Sequence, residues 1–577
     1  MSDSTINCGV GASQLYAPVP TGQAGPLRVG VMLNQLDDFA WIQRVLTDIR
    51  DSGFASVVLA VVNAADKPQK KGRFIRFVNG EMNLGKELYW RYSLLDERVN
   101  NKRHDAFQVV DLRPALGDAD IAPVRPISRK FVHRFTDADI ARIKSYDLDV
   151  MIRFGFNIIR GDILGVARHG VWSYHHGDNN EYRGGPALFW EIYEGNPLSG
   201  TILQVLTDDL DGGKVIYRSF AATIDSIWLS NNREETYWKT TAFVIRCLRR
   251  LHGSGGASLP SEARLADYRR KIYRQPANRE MSSFLVRAAG RVLRGKWRNL
   301  SGFNQWLIGY RTDGSKFLAN SATADLSGFT PIVPPKKRSF ADPFVFRHDG
   351  RDYVFIEDLD EVTGRGRIAV MTVGDDGKPS APEPVLERDY HLSYPFLFEW
   401  QGDVFMLPET AATRSLQLFR AARFPDEWEL HSEPMRGYPM VDATLHEQAG
   451  RWYMFVNVSE RGGSLDDELF LFFAQTPLGP WQPHPLNPIK SDVRSARPAG
   501  RLFRRDGKLI RPAQDCSTSY GSAINLCEVE VLSETDYRER IVERLEPSWR
   551  PGLEGCHTLS FSDRMEFIDG KRTVLKL

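Results

Sequence analysis

The first third of the chain alternates between apolar runs of strand length and apolar positions at helical spacing. Leu27 to Leu33 is a short apolar run, and apolar residues then recur at helical spacing from Phe39 to Ile49. A second apolar run follows from Ala55 to Val62. This succession of strand, helix and strand predicts an α/β domain with a Rossmann-like parallel sheet. We place the domain at residues 27–225, after a flexible tail of residues 1–26.

The pattern changes beyond residue 326, where short apolar strands are separated by turn residues and the arrangement repeats. Each repeat has an inner strand and a hairpin, and pairs such as Asp349-Gly350, Gln401-Gly402 and Asp569-Gly570 provide the tight turns. Five repeats at intervals of roughly 50–60 residues are typical of radial β repetition. The sequence therefore predicts an all-β, five-bladed β-propeller over residues 327–577.

The intervening residues, 226–326, are predicted to form a helical connector. Apolar residues recur at helical spacing from Trp238 to Leu248. A second helical stretch, from Ala263 to Arg298, carries many Lys and Arg residues among aromatic ones. It could contact an anionic surface or membrane headgroups, but an interdomain helix with a solvated basic face is the favoured interpretation.

Composition narrows the class of protein. A chain of 577 residues exceeds the roughly 250–300 residues at which a single core stops growing, so several domains are expected. Its 75 Lys and Arg against 73 Asp and Glu give a net charge of +2, which provides no field to hold nucleic acid. The five cysteines form no CxxC pair. We expect a cytoplasmic protein without a metal site or transmembrane segment, and the oligomeric state stays open.

Candidate chemistry in the first domain lies at the ends of predicted strands. His175 and Asp211 each follow a strand, where open α/β sheets place their ligands. An imidazole and a carboxylate brought together there could move a proton. The alternative for each residue is a purely structural role in a turn.

This region resembles the 10-formyltetrahydrofolate-dependent formyltransferases. The resemblance rests on His175, on Arg183-Gly184 with a following proline, on Gly200-x-Thr-Ile, and on Leu210-Asp211-x-Gly. It implies that His175 and Asp211 are catalytic, and it places Ser173 where the family has an asparagine that donates to the oxyanion.

The same resemblance implies a substrate site and a reaction. Asp178, Asn180, Arg183 and Gly184 are expected to shape or contact the acceptor site. The expected reaction moves a formyl group from 10-formyltetrahydrofolate to an amine. An amino sugar or sugar nucleotide used in surface glycan biosynthesis is the expected acceptor.

The repeats resemble the five-bladed propellers of arabinanase- and xylosidase-type glycoside hydrolases, and the propeller domain of glucosamine inositolphosphorylceramide transferases. The Ala341-Asp-Pro opening and the segment from Arg511 to Gly521 carry this resemblance. It implies a central funnel that binds a glycan. The predicted funnel residues are Asp342, Glu409, Asp442, Arg497, Asp515 and His557.

A second function follows from the propeller alone. In that alternative, the propeller processes a glycan, as a hydrolase or a glycosyltransferase-like enzyme, or binds one, and the first domain is a degenerate formyltransferase-like module. Arg497 stands on the fourth repeat where a hydrolase needs a proton donor, so the two-carboxylate mechanism is incomplete unless Glu409 or Asp515 supplies the acid.

Overall fold

A computed structural model describes the fold of most of the chain. The described residues are 14–19, 25–65, 84–100, 105–129, 131–209, 212–257, 259–262, 268, 270–321 and 324–575, without the side chains of residues 298, 299 and 301. The chain divides into two compact units. The α/β unit comprises Pro18–Arg294 and Arg461–Gly463, and the propeller unit comprises Met1–Ala17, Gly295–Glu460 and Ser464–Leu577.

A seven-stranded sheet forms the centre of the α/β unit. Its strands, in spatial order, are β12 (Lys214–Ala222), β11 (Leu198–Val205), β10 (Val171–His175), β8 (Val150–Arg153), β1 (Leu27–Leu33), β3 (Ala55–Asn63) and β5 (Asp120–Val124). The five strands from β10 to β5 are parallel, whereas β11 and β12 are antiparallel. The carboxyl ends of the parallel strands therefore lie along one edge of the sheet.

The helices that pack on the sheet do so through apolar faces, which share a core with its strands. Helix α1 (Ala40–Asp51) buries Trp41, Ile42, Val45, Leu46 and Ile49, which recur at helical spacing. The other helices of the unit are α2 (Glu87–Asn100), α3 (Arg113–Leu116), α4 (Asp137–Lys144), α5 (Phe189–Glu194), α6 (Leu229–Gly253) and most of α7 (Asn278–Ser301). Two small sheets pair β2 (Asp37–Phe39) with β4 (Val109–Asp111), and β7 (Val132–Arg134) with both β6 (Ile127–Arg129) and β9 (Ile158–Ile159).

The propeller unit contains five antiparallel sheets, of which four follow one another along the chain and the fifth combines strands from before and after them. Four have four strands each: β15 (Arg338–His348), β16 (Arg351–Asp360), β17 (Arg365–Thr372) and β18 (Glu383–Leu386); β19 (Ser393–Trp400), β20 (Asp403–Glu409), β21 (Ser415–Arg423) and β22 (Glu427–Arg436); β23 (Met440–Gln448), β24 (Arg451–Val458), β25 (Leu469–Ala474) and β26 (Gln482–Pro483); β27 (Phe503–Arg505), β28 (Lys508–Asp515), β29 (Ala523–Leu532) and β30 (Tyr537–Leu545). The fifth joins β14 (Thr330–Ile332), β13 (Gly302–Arg311), β33 (Glu566–Leu575), β31 (Leu553–Gly555) and β32 (Leu559–Phe561).

Tight turns close the first hairpin of four sheets, and most of them were predicted. Both turn residues have positive φ at Asp349-Gly350, Gln401-Gly402, Ala449-Gly450 and Asp506-Gly507. Such turns match the twist of paired strands, which is why glycine follows a small or polar residue there. Asp569-Gly570 is different, because both residues lie within β33 and Asp569 is buried. The predicted turn at this pair is therefore wrong.

The inner strands of the first three sheets share one irregularity. Asp342, Tyr394 and Asp442 have φ values of 49°, 46° and 54°, and the strand register shifts at each of them. A bulge of this kind re-aims the side chain, and these three residues are all buried. Tyr394 contacts both neighbouring sheets from this position, since its backbone N–H donates to Asp342 and its hydroxyl lies 2.7 Å from that of Thr444.

The domain limits differ from those predicted. Helix α6 packs Phe243, Val244 and Leu248 into the core of the α/β unit, so residues 226–326 do not form a separate connector. Strand β13 pairs with β33 from Gly302 to Arg311, which places it in the propeller unit, well before residue 327. Of the predicted tail, Leu15 is buried in the propeller core and its carbonyl accepts a hydrogen bond from Asn487.

Candidate functional site

The predicted catalytic group of the α/β unit is held by the protein's own atoms. His175 ends β10, and its Nε2–H donates to the Tyr182 carbonyl at 2.8 Å. Ser173 is buried in the same strand, where its hydroxyl accepts a hydrogen bond from Arg153 at 3.2 Å. Asp211 lies outside the described residues, so its predicted meeting with His175 stays a prediction.

The predicted acceptor-site residues have structural contacts. Asp178 forms an ion pair with Arg218 and accepts the backbone N–H of Asn180 at 3.1 Å. The Arg183 Nε–H donates to the Asn179 carbonyl at 2.8 Å. Gly184 has a φ of 98°, and a Cβ there would lie 2.2 Å from the Tyr273 carbonyl oxygen. Only glycine fits that close approach.

Two buried polar groups nearby were not predicted. Glu191 Oε1 and Thr201 Oγ1 have no hydrogen-bond partner among the described residues. Burial is the main cause that raises the pKa of Glu191 to about 8, and the carboxylates of Glu194 and Asp178 contribute to this rise. The motifs used in the sequence analysis did not include Glu191, which lies within helix α5.

In the propeller unit, Arg497 brings together three carboxylates. Its Nε–H donates to Asp442 at 2.6 Å, Nη1–H to Asp466 at 2.9 Å and Nη2–H to Glu409 at 3.2 Å. Gln514 also donates to Asp442, at 2.9 Å. We call Glu409, Asp442, Asp466 and Arg497 the central cluster. It has three acidic groups for one guanidinium, so its charges do not balance if every carboxyl group is ionised.

The acid–base state of the cluster follows from burial. Burial raises the pKa of Glu409 well above its ordinary value, Arg497 acts against this, and the neighbouring Asp442 carboxylate adds to it. Glu357 has a pKa raised in the same direction, first by burial and then by the charges of Asp342 and Glu409. The carboxyl groups of Glu409 and Glu357 therefore hold their protons more firmly than ordinary glutamates do.

A second group of predicted residues, Asp342 and His557, ties the first and last sheets together. Asp342 accepts hydrogen bonds from the Tyr394 backbone N–H at 3.1 Å and from the Thr558 hydroxyl at 2.6 Å. His557 forms an ion pair with Asp569, and its Nε2 lies 3.5 Å from Asp342. Burial acts to lower the pKa of His557, but Asp569 and Asp342 outweigh it and hold the pKa above its usual value.

Ligand atoms of Asp342, His557 and Asp569 all lie within 4.8 Å of one another, a spacing that suits a cation. Protein groups already engage both carboxylates, since Asp569 also accepts the backbone N–H groups of His557 and Thr558. Asp342, His557 and Asp569 therefore have protein partners that explain their burial, and these contacts serve the fold.

Aromatic rings lie between the central cluster and the group formed by Asp342 and His557. Trp306 stacks on His557 with ring centroids 4.1 Å apart, and the Tyr520 ring lies 5.2 Å from that of His557. The Arg497 guanidinium lies 4.8 Å from the centre of the Tyr520 ring. Tyr520 is 39% exposed, so an aromatic surface open to solvent borders the central cluster. Aromatic faces of this kind provide apolar contact area with a polar edge.

The predicted residue Asp515 does not join this site. Its carboxylate forms an ion pair with Arg544 and accepts the Ser517 backbone N–H at 2.9 Å. Within the described residues, no hydrogen bond connects it to Arg497.

Sequence reasoning missed Glu357 and Asp466. Glu357 pairs with Ala341 across the first hairpin, as Glu409 pairs with Ser393 across the second, so the two glutamates occupy the same place in successive repeats. Aligning the second strands of the repeats would have found Glu357. Asp466 lies in the segment between β24 and β25, where no repeat signal exists.

Comparisons with known proteins give a partial match. Residues 334–548 match the family described as "Glucosamine inositolphosphorylceramide transferase 1, N-terminal". The chain is 36% identical over 203 residues to glucosamine inositolphosphorylceramide transferase 1 of Arabidopsis thaliana. This alignment covers 34% of the chain and 26% of the relative, so the chain spans about a quarter of that protein's length.

Solved structures are similar at low scores. A thermostable family-43 glycoside hydrolase covers 36% of this chain and 76% of its own, at 15% identity and a TM-score of 0.29. Glycinamide ribonucleotide transformylase 1 from Symbiobacterium toebii covers 40% of this chain and 90% of its own, at 14% identity and a TM-score of 0.27. Scores this low support no conclusion about this chain.

These matches correct the predicted reaction. The curated relatives are named as transferases of glucosamine inositolphosphorylceramide, not as formyltransferases, so the prediction of formyl transfer from folate is wrong. The relatives agree better with the alternative in which the propeller handles a glycan. No observation tests the expected 10-formyltetrahydrofolate donor or the cytoplasmic location, which stay predictions. Among the described residues, the helices are all too short or too polar to cross a bilayer.

Proposed function

We propose that this chain is a carbohydrate-processing enzyme of the glycosyl-transfer class, with its sugar site at the central cluster of the propeller unit. The observation that carries the proposal is that Glu409, whose pKa is raised by burial, shares Arg497 with Asp442, which Arg497 binds through two nitrogens. Breaking or forming a glycosidic bond uses two carboxyl groups in different protonation states.

Each member of the pair has a distinct role in the proposal. Glu409 is the group that protonates the oxygen leaving the sugar, because burial raises its pKa and so favours the protonated carboxyl group. Asp442 stabilises the positive charge that develops on the sugar ring. Arg497 orients both carboxyl groups, and Tyr520 offers a face on which the sugar ring packs.

The substrate class comes from the relatives. Their name couples a glucosamine transfer to an inositolphosphorylceramide, and the family match lies within the propeller unit. We propose that the sugar bound here belongs to a glycolipid headgroup containing an inositol phosphate or an amino sugar.

One observation favours a second function, which is binding without turnover. Asp442 accepts three hydrogen bonds from Arg497 and Gln514, and Asp342 accepts two from Tyr394 and Thr558. Carboxylates engaged to this extent have little capacity left for a reacting atom. A propeller that only recognises a glycan would keep the same contacts.

The two functions are separated by one variant. The full chain is incubated with p-nitrophenyl glycosides, and separately with nucleotide sugars and an inositol phosphate glycolipid, and products are followed by absorbance and mass spectrometry. Glu409→Gln keeps the shape of the side chain but cannot donate the proton, so turnover should fall by about 10²–10⁴-fold. Sugar affinity, measured by calorimetry, should change little.

The matched control is Glu429→Gln, which removes an exposed carboxyl group of the same sheet. It should leave both turnover and affinity unchanged. Sugar binding without product in the unaltered protein would establish the binding function instead. The proposal would be rejected if the unaltered protein neither bound nor converted any of these probes.

A further inference from the structure

Helix α7 has apolar side chains on two opposite sides. Met281, Phe284 and Ala288 lie on one side and are at most 1% exposed. Met281 and Phe284 belong to an aromatic cluster that also contains Tyr92 and Phe189. This side accounts for the attachment of the helix to the α/β unit.

The opposite side of the helix is apolar and exposed. Val286, Leu293, Trp297 and Leu300 are 73%, 67%, 71% and 78% exposed. Their separations of seven, four and three residues place them along a single line of a helix. We call these four residues the outer stripe. A helix on the surface of a protein ordinarily carries polar residues on this side, so the stripe needs an explanation.

Basic residues border the outer stripe. The helix contains six Lys and Arg residues against a single acidic residue, Glu280. Arg294 and Lys296 are exposed next to Leu293 and Trp297 in the sequence. Arg291 turns toward Asp225, with which it forms an ion pair. The exposed surface along the stripe is therefore apolar in the middle and positive at its margins.

This combination points to one kind of partner. A second copy of the helix would bring the same positive margins together, and like charges would oppose that contact. An anionic membrane surface matches both features, since tryptophan and leucine enter the boundary between headgroups and acyl chains while Lys and Arg contact the headgroups. We propose that the outer stripe of α7 docks the protein on the surface of an anionic bilayer.

The proposal does not depend on the sugar site. It concerns a helix that contributes no residue to the central cluster, and its failure leaves the proposed function untouched. Loss of sugar processing would likewise leave the membrane contact intact.

Vesicle co-sedimentation of the full chain tests the contact. Vesicles of phosphatidylcholine with about 30% phosphatidylglycerol, which carry a negative surface potential of the order of −30 mV, are compared with vesicles of pure phosphatidylcholine. We expect binding to the anionic vesicles that weakens as salt is raised, and little binding to the neutral ones. The double variant Leu293→Ala and Trp297→Ala should weaken partitioning by about tenfold or more, because it removes apolar groups that enter the bilayer.

Charge and control variants complete the test. Arg294→Gln and Lys296→Gln should each weaken binding by about fivefold. Leu430→Ala removes a leucine that is 50% exposed in the propeller unit, and it should bind as the unaltered protein does. Circular dichroism verifies that each variant folds, which is expected because the altered side chains are exposed.

Three outcomes would overturn the proposal: equal binding to neutral vesicles, binding unaffected by the double variant, or concentration-dependent dimerisation in ultracentrifugation that the double variant abolishes.

Discussion

The central cluster of the propeller unit and the surroundings of His175 both contain residues that the sequence singled out, but their charges are arranged differently. His175 donates to a backbone carbonyl, and its neighbour Asp178 is matched by Arg218, so these charges and donors are balanced locally. In the propeller, Arg497 serves three carboxylates at once, and Glu409 keeps a raised pKa beside them.

The difference shows what separates a structural polar group from a chemical one. A polar atom can be buried when it has a hydrogen-bond partner, and such a bonded pair contributes to the fold. A site that does chemistry retains groups whose protonation is not settled by one partner. Glu409 has such an environment and is therefore the group on which the proposed function depends, whereas the Ser173 hydroxyl accepts a hydrogen bond from Arg153.

The largest expected effect comes from removing the guanidinium. Arg497→Met leaves three buried carboxyl groups without their shared cation, and the free energy of unfolding should fall by about 3–5 kcal/mol. Chemical denaturation followed by tryptophan fluorescence measures the loss. Arg420→Met removes a half-exposed ion pair with Asp403 and should cost less than about 1 kcal/mol. Equal losses in the two variants would show that the cluster is not a special arrangement.

The α/β unit provides a pH test. Glu191 has an ordinary pKa of 4.5 that rises to about 8 in the fold, so the folded state holds a proton that the unfolded state releases. Its contribution to stability is complete below pH 4.5 and is lost as the pH rises toward 8. Glu191→Gln cannot ionise and should raise the free energy of unfolding at pH 8 by about 2–4 kcal/mol, with little change at pH 4.

The control for this prediction is Glu97→Gln, which alters an exposed glutamate of helix α2. Its stability should follow the same pH profile as the unaltered protein. If the stability of Glu191→Gln showed the same pH dependence as that of the unaltered protein, Glu191 would not be a buried carboxyl group with a raised pKa.

A smaller loss should follow from one hydroxyl group beneath the central cluster. The Tyr394 hydroxyl lies 2.7 Å from the Thr444 hydroxyl and accepts the Gly500 backbone N–H at 2.8 Å. Tyr394→Phe leaves these buried groups without a partner and should lower the free energy of unfolding by about 1–2 kcal/mol. Tyr453→Phe, in the next sheet, is the matched change and should cost clearly less. Thermal unfolding distinguishes the two.

The smallest expected effect concerns His175, which the sequence analysis favoured as a catalytic residue. His175→Asn should change turnover of the sugar substrate by less than about twofold, whereas Glu409→Gln abolishes most of it. The same product assays measure both. A large loss in His175→Asn alone would return the chemistry to the α/β unit and reverse the comparison.

The parts of the fold that were predictable rest on local rules. The apolar runs at β1 and β3 and the helical spacing of α1 follow from burial on one face, and the hairpin pairs at Asp349 and Gln401 follow from the need for positive φ. Each of these signals lies within about a dozen residues, so one sequence is enough to find it.

The features that were not predicted depend on contacts between residues far apart in the sequence. Asp569-Gly570 has the composition of a turn, but pairing with a strand more than 250 positions earlier extends it into β33. Asp466 reaches Arg497 from an irregular segment. The resemblance that suggested formyl transfer named residues by order along the chain, and order alone does not show that Ser173 is enclosed or that His175 is already bonded.

The fifth propeller sheet has a consequence for how the protein is made. Strand β13 is synthesised before the other four sheets, and its partner β33 is synthesised after them. During translation, β13 therefore presents an unpaired edge that other chains can join. That edge is covered only once the residues of β33 have been synthesised.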